Sequence, residues 1–183
     1  MMVSARGAAE LLGEVGLGRE EVRRLLLSGF AGPPVRTAGA LLFDQQRVRE
    51  LAAWPALPES VVDELCPFGL FVGRIPRDRR LDMTTEWSML AGCVNGGWRL
   101  SPLDRILMSA RIERYVAMPF VATLCGYVAL GGDVVGLEAE RSGRTAFTLT
   151  EPGAWFAPFN QRRLLAGAGR SWLIRGWSRT YAG

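Results

Sequence analysis

Arg19, Arg23 and Arg24 sit in one short segment with Val22, Leu25 and Leu26, Arg6 lies upstream, and Arg36-Thr37 follow two prolines. A guanidinium presents a planar fork of donors that matches a phosphate or the acceptor edge of guanine, so this set suits contact with duplex nucleic acid. All 22 basic residues of the 183-residue chain are arginine, with no lysine and no histidine. That composition removes Schiff-base and phosphate-loop lysines, a histidine general base and histidine metal ligands. Cys66, Cys93 and Cys125 lie far apart with no paired spacing. The expectation is therefore free thiols in a reducing cytoplasm, with no metal and no cofactor. Two enzymatic readings fare poorly. Glu138 and Glu140 would share one face of a strand as a carboxylate pair, and Cys125 lacks the histidine that would activate it. No enzymatic activity is expected.

The elements needed to hold the arginines can be read locally. Ser4 is a natural N-cap for a helix with Ala8, Leu11 and Leu12 on one face, and Gly13 stops it. A second helix from Arg19 buries Val22, Leu25 and Leu26, points its arginines elsewhere and ends at Gly29. Pro33 and Pro34 forbid more helix. Val35-Arg36-Thr37 and Leu41-Leu42-Phe43 then flank Ala38-Gly39-Ala40 as a hairpin, and Asp44 caps a third helix with Val48 and Leu51 inside. Helix, turn, helix and hairpin in this order can insert one helix into a major groove while a wing touches the backbone.

Ala8-Ala9-Glu10-Leu11-Leu12-Gly13, the segment Arg19 to Gly29, the proline-led hairpin with Arg36 and Gly39, and Phe43-Asp44 leading to Val48 and Leu51 together resemble the excisionase and MerR-like winged helix-turn-helix domains. The resemblance covers about the first third of the chain. It implies that the second helix enters the major groove with Arg19, Arg23 and Arg24 and that Arg36 and Thr37 are wing contacts; Arg6 is a further expected DNA contact. The chain departs from the pattern at Gly7, where a glutamate is usual, and in a longer Gly13 to Gly18 turn.

Charge distribution leaves a second reading open. Residues 1–60 hold seven arginines and seven acids, whereas residues 61–183 hold fifteen and eleven, so the net charge of +4 resides in the second part. Within the first part, Gly18 to Arg49 carries six arginines against Glu20, Glu21 and Asp44. A basic face is compatible with this distribution, and so is a winged-helix adaptor for protein assembly in a phage, plasmid or nucleoid setting.

The expected organisation is α+β: a winged helix-turn-helix over 1–54, a linker over 55–66, and a small antiparallel sheet or partial barrel with one or two helices over 67–183. In the second domain a strand is expected over 68–75, a charged loop over 76–82 and a helix from Ser101-Pro102 to Val116. Further strands are expected over 120–130, 134–140, 145–150 and 171–177, with turns at 131–133, 142–143 and 151–153. Trp155, Phe156, Phe159, Trp172, Trp177 and Tyr181 alternate with Arg162, Arg163, Arg170, Arg175 and Arg179. These either finish a core, form a pocket of Trp155, Phe159, Trp172 and Arg175 for a small-molecule or protein effector, or add a second DNA contact. Met1 to Arg6 shows no charged-then-apolar leader and no run reaches membrane-spanning length. The combined expectation is a cytoplasmic, nucleoid-associated bacterial regulator that binds double-stranded DNA as a homodimer.

Overall fold

The computed structural model describes residues 1–164 and 171–175 and has a mixed α+β architecture in two compact units. Met1–Pro55 and Arg77–Glu86 form the first, while Ala56–Pro76 and Trp87 onward form the second. The charged loop expected over 76–82 in the second domain therefore belongs, from Arg77 on, to the first unit, together with residues 83–86.

In the first unit, β1 (Met2–Ser4) leads directly into α1 (Ala5–Gly13), followed by α2 (Arg19–Leu27), β2 (Val35–Arg36), β3 (Leu41–Asp44) and α3 (Gln45–Ala52). Local caps set these boundaries. The Ser4 hydroxyl accepts from the Gly7 amide at 3.3 Å, and the Asp44 carboxylate accepts from the Arg47 amide at 3.0 Å. At the start of α2 the Glu21 carboxylate reaches back to the Gly18 amide at 2.9 Å. Gly29, at φ +82°, takes the left-handed position past the end of α2. The three strands pair antiparallel in the order β1-β3-β2, with Val3 opposite Phe43 and Val35 opposite Leu42. Ala8, Leu12, Val22, Leu25, Phe43 and Val48 are fully buried between helices and sheet. Leu81 is buried as well, and the Met83 amide donates to the Ser28 carbonyl at 2.8 Å, which ties residues 77–86 to the end of α2.

The second unit contains α4 (Glu59–Leu65), β4 (Leu70–Arg74), α5 (Trp87–Val94), α6 (Pro102–Tyr115), β5 (Met118–Leu124), β6 (Tyr127–Ala139), β7 (Thr145–Thr150), a 3₁₀ helix (Ala154–Phe159) and β8 (Trp172–Arg175). The stretch expected as a linker therefore carries α4, whose Val62 and the following Cys66 enter the core. The sheet order is β7-β6-β5-β4-β8, and β4 runs parallel to β5 while every other pair is antiparallel. This mixed open order replaces the expected antiparallel partial barrel, because the long excursion from β4 through α5 and α6 returns the chain as a parallel neighbour. The start of α6 follows expectation: Ser101 and Asp104 cap each other, with Pro102 in the first turn.

One turn moves. The first hairpin bends at Cys125-Gly126, both at positive φ, rather than at Gly131-Gly132-Asp133, which lie inside β6. Gly131 is there for close approach: the Phe156 ring lies against it, occupying the space a Cβ would need. Val72, Val121, Val128 and Phe159 fill one side of the sheet, and Phe71, Trp98, Phe120 and Phe147 pack on the other through both edge-to-face and stacked ring contacts. The strand expected over 171–177 is described as far as Arg175; Trp177, Tyr181, Arg170 and Arg179 lie outside the described residues.

Candidate nucleic-acid interface

A groove of about 810 Å³ opens in the first unit, lined by the first half of α1, by α2 and by β3. Arg6 and Glu10 project from α1, Arg19, Arg23 and Leu27 from α2, and Leu41 from β3. The grouping follows from helical geometry: positions 6 and 10, and 19, 23 and 26–27, repeat at one turn and so share a face. Three of the six expected contact residues thus meet in one place.

Two of those arginines carry loose ion pairs. Arg6 lies 3.6 Å from Glu10 and Arg23 lies 3.9 Å from Glu20, all four side chains largely exposed. Such pairs contribute little in water and exchange readily for a phosphate. Arg19 stands exposed at the start of α2. Arg24 is half-buried on another side of the helix and does not line the groove. Arg36 is exposed on β2, opposite Leu41 across the ladder. Thr37 is spent on structure: its amide and its hydroxyl both donate to the Ala40 carbonyl, at 2.9 and 3.0 Å, closing the hairpin. Sequence reasoning does not single out Glu10, Leu27 or Leu41. The i,i+4 relation of Glu10 to Arg6 is a usable signal, whereas Leu41 needs the sheet register.

The second unit does not assemble its expected pocket. Side chains alternate across a sheet. Trp155 and Phe159 meet at 5.5 Å on the face that holds Val72, and Arg175 is on that side through its 2.8 Å pair with Glu59 of α4. Trp172 is on the opposite face, stacked on Phe71 at 5.4 Å, with its indole donating to the Arg99 carbonyl. The four residues are therefore divided by the sheet. Asp133 accepts from the Gly153 amide and the Trp155 indole, both at 2.9 Å, which anchors the 3₁₀ helix. The carboxylate pair also separates. Glu140 has left β6 and accepts from the Gly97 amide at 2.8 Å and the Ser142 hydroxyl at 3.0 Å, while Glu138 is exposed beside Thr148. Burial pushes the Cys66 thiol up to about 12, which leaves it protonated and unreactive. Among the described residues no cluster of metal-ligating side chains occurs, and no helix is long and apolar enough to cross a membrane.

No protein-family model, curated protein or solved structure matches the chain.

Proposed function

We propose that the first unit is a winged helix-turn-helix that binds double-stranded DNA, and that two copies read two half-sites as a transcriptional regulator. The observation that carries this reading is the convergence of Arg6, Arg19 and Arg23 on one groove between a helix and a hairpin. With α2 in the major groove and β2–β3 as the wing, one sugar-phosphate strand runs along the groove. The arginines then reach phosphates or base edges from one side, Leu27 and Leu41 face the sugars, and Arg36 contacts backbone from the wing. Thr37 holds the hairpin closed in this arrangement.

A small basic surface of this size binds weakly at physiological salt, which favours two half-sites over one. The test is a salt titration of duplex binding combined with sequencing of fragments selected from a random pool. Wild-type protein enriches one motif with a two-fold repeat. Replacing Arg19 and Arg23 with alanine lowers affinity by about tenfold or more per residue and flattens the log–log salt slope by about one for each arginine–phosphate pair removed. Unchanged affinity in a folded variant overturns the assignment of α2.

A second reading, an adaptor that receives an apolar segment of another protein, is favoured by Leu27, which is 51% exposed within the groove. Absence of duplex binding at low salt would select it.

A further inference from the structure

Helix α6 buries Met108 and Arg111 on its inner side and carries apolar residues on its outer side as well. Met108 is fully buried on its inner side, while Leu103 and Ile106 are 63% and 65% exposed on its outer side, with Ala110 also exposed one turn further on. The spacing 103, 106, 110 is the three-then-four repeat of a helix seam that meets another helix, and the small Ala110 admits close approach. A single exposed leucine needs no explanation, but a stripe at this spacing does.

We infer that the occupant is α6 of a second copy of this chain, running antiparallel about a two-fold axis between Ile106 and Ala110. Charge chooses the direction. The outer edge of α6 carries Glu113 and Arg114 at its C-terminal end and Asp104 in its first turn. An antiparallel pair brings each Arg114 toward the Asp104 of the other copy and each Glu113 toward the positive N-terminal end of the facing helix. A parallel pair would set Glu113, the next position of the same three-and-four repeat, against Glu113 of the other copy and leave each Arg114 at the far end from the other copy's Asp104. Ile106 of each copy then meets Ala110 of the other, a large side chain into a small one. One helix pair falls well short of the roughly 1,600 Å² of a standard stable interface, so the dimer is a weak one that paired half-sites would reinforce.

This surface supplies the two-copy assembly that the DNA-binding reading calls for, and it is tested without DNA so that the two fail separately. In sedimentation velocity over a concentration series, the wild type shows a monomer–dimer equilibrium, and Ile106→Glu and Leu103→Glu remain monomeric with unchanged circular dichroism and melting temperature. Direction is read in a Cys93→Ser background. Ile106→Cys mixed with Ala110→Cys cross-links as the heterologous pair faster than either variant with itself. A wild type that stays monomeric at its highest soluble concentration overturns the proposal and leaves the stripe to a different protein. So does a dimer that survives Ile106→Glu, or cross-linking fastest between identical positions.

Discussion

The two units solve the problem of specifying a fold in opposite ways. In the first, each helix begins at a side-chain acceptor a few residues from the amide it satisfies: Ser4 for Gly7, Glu21 for Gly18 and Asp44 for Arg47. In the second, the decisive contacts join residues far apart in sequence, such as Phe156 on Gly131, Phe71 on Trp172 and Asp133 on Trp155. Local capping leaves a small unit with exposed arginines and a groove, whereas long-range aromatic packing closes the second unit around a filled core. The proposed DNA contacts accordingly fall on the part with less to bury, and the large aromatic core on the other.

Damage to the core of the second unit should leave the proposed duplex binding by the first unit intact. Phe159 is fully buried among Trp155, Phe156 and the valines of the sheet. Phe159→Ala should cost about 3–5 kcal/mol by loss of burial and the cavity left behind. The expected outcome is a large drop in the urea midpoint, accompanied by alkylation of Cys66, which is shielded and protonated in the native protein. Duplex affinity measured well below the melting temperature should stay at the wild-type value. Loss of affinity in the still-folded variant would show that the units are not separable. Gly131→Val tests the same core from the other direction. Its side chain would occupy the space of the Phe156 ring, at a cost of about 1–3 kcal/mol.

The contrast also explains which features are legible in the amino-acid sequence. Ser4, Gly29, Pro33-Pro34 and Asp44 act on backbone within a turn of themselves, so the helices and the hairpin of the first unit follow from residue types, and Arg6, Arg19 and Arg23 can be named from them. β1 is too short to show a period, and residues 77–86 offer no local sign that Leu81 is buried with α2. In the second unit Gly131-Gly132-Asp133 has the composition of a turn, yet the bend falls at Cys125-Gly126 because a ring 25 residues from Gly131 needs that glycine's space. α4 is hidden behind Pro55 and Pro58, and α5 has only Ser88 as a polar position to mark a face. The pocket of Trp155, Phe159, Trp172 and Arg175 fails for the same reason: composition gathers aromatics, and only strand register assigns them to faces.

A smaller effect sharpens the electrostatic side of the comparison. Glu10 lines the groove and lies 3.6 Å from Arg6, so on the proposed reading it both occupies that arginine and would repel an incoming phosphate. Glu10→Gln keeps the shape and removes the charge. Duplex affinity should rise several-fold, about 0.5–1 kcal/mol, and the gain should shrink as salt is raised. Fluorescence anisotropy at two ionic strengths measures it. An unchanged affinity would place the phosphate strand away from the α1 side of the groove, on the wing alone.

The smallest effect concerns the caps, and its sign follows from protonation. The Asp44 carboxylate accepts from the amides of Arg47 and, less strongly, Gln46, which holds its pKa below the ordinary carboxylate value of 3.8. Because the folded value is depressed, the stabilisation is complete above the unfolded value and is lost as pH falls through the folded one. Asp44→Ala should therefore lower the urea midpoint of the first unit at neutral pH. The gap from wild type should narrow below about pH 4 as the wild-type cap is itself protonated. Asp82, whose carboxylate is held low by the hydroxyl and amide of Thr84 at 2.6 and 3.0 Å, should behave with the same sign in the Arg77–Glu86 segment. Both residues belong to the first unit, and the midpoint of the second should not move. A gap that stays constant with pH would mean that the charge of Asp44 is immaterial and that its shape alone sets the start of α3.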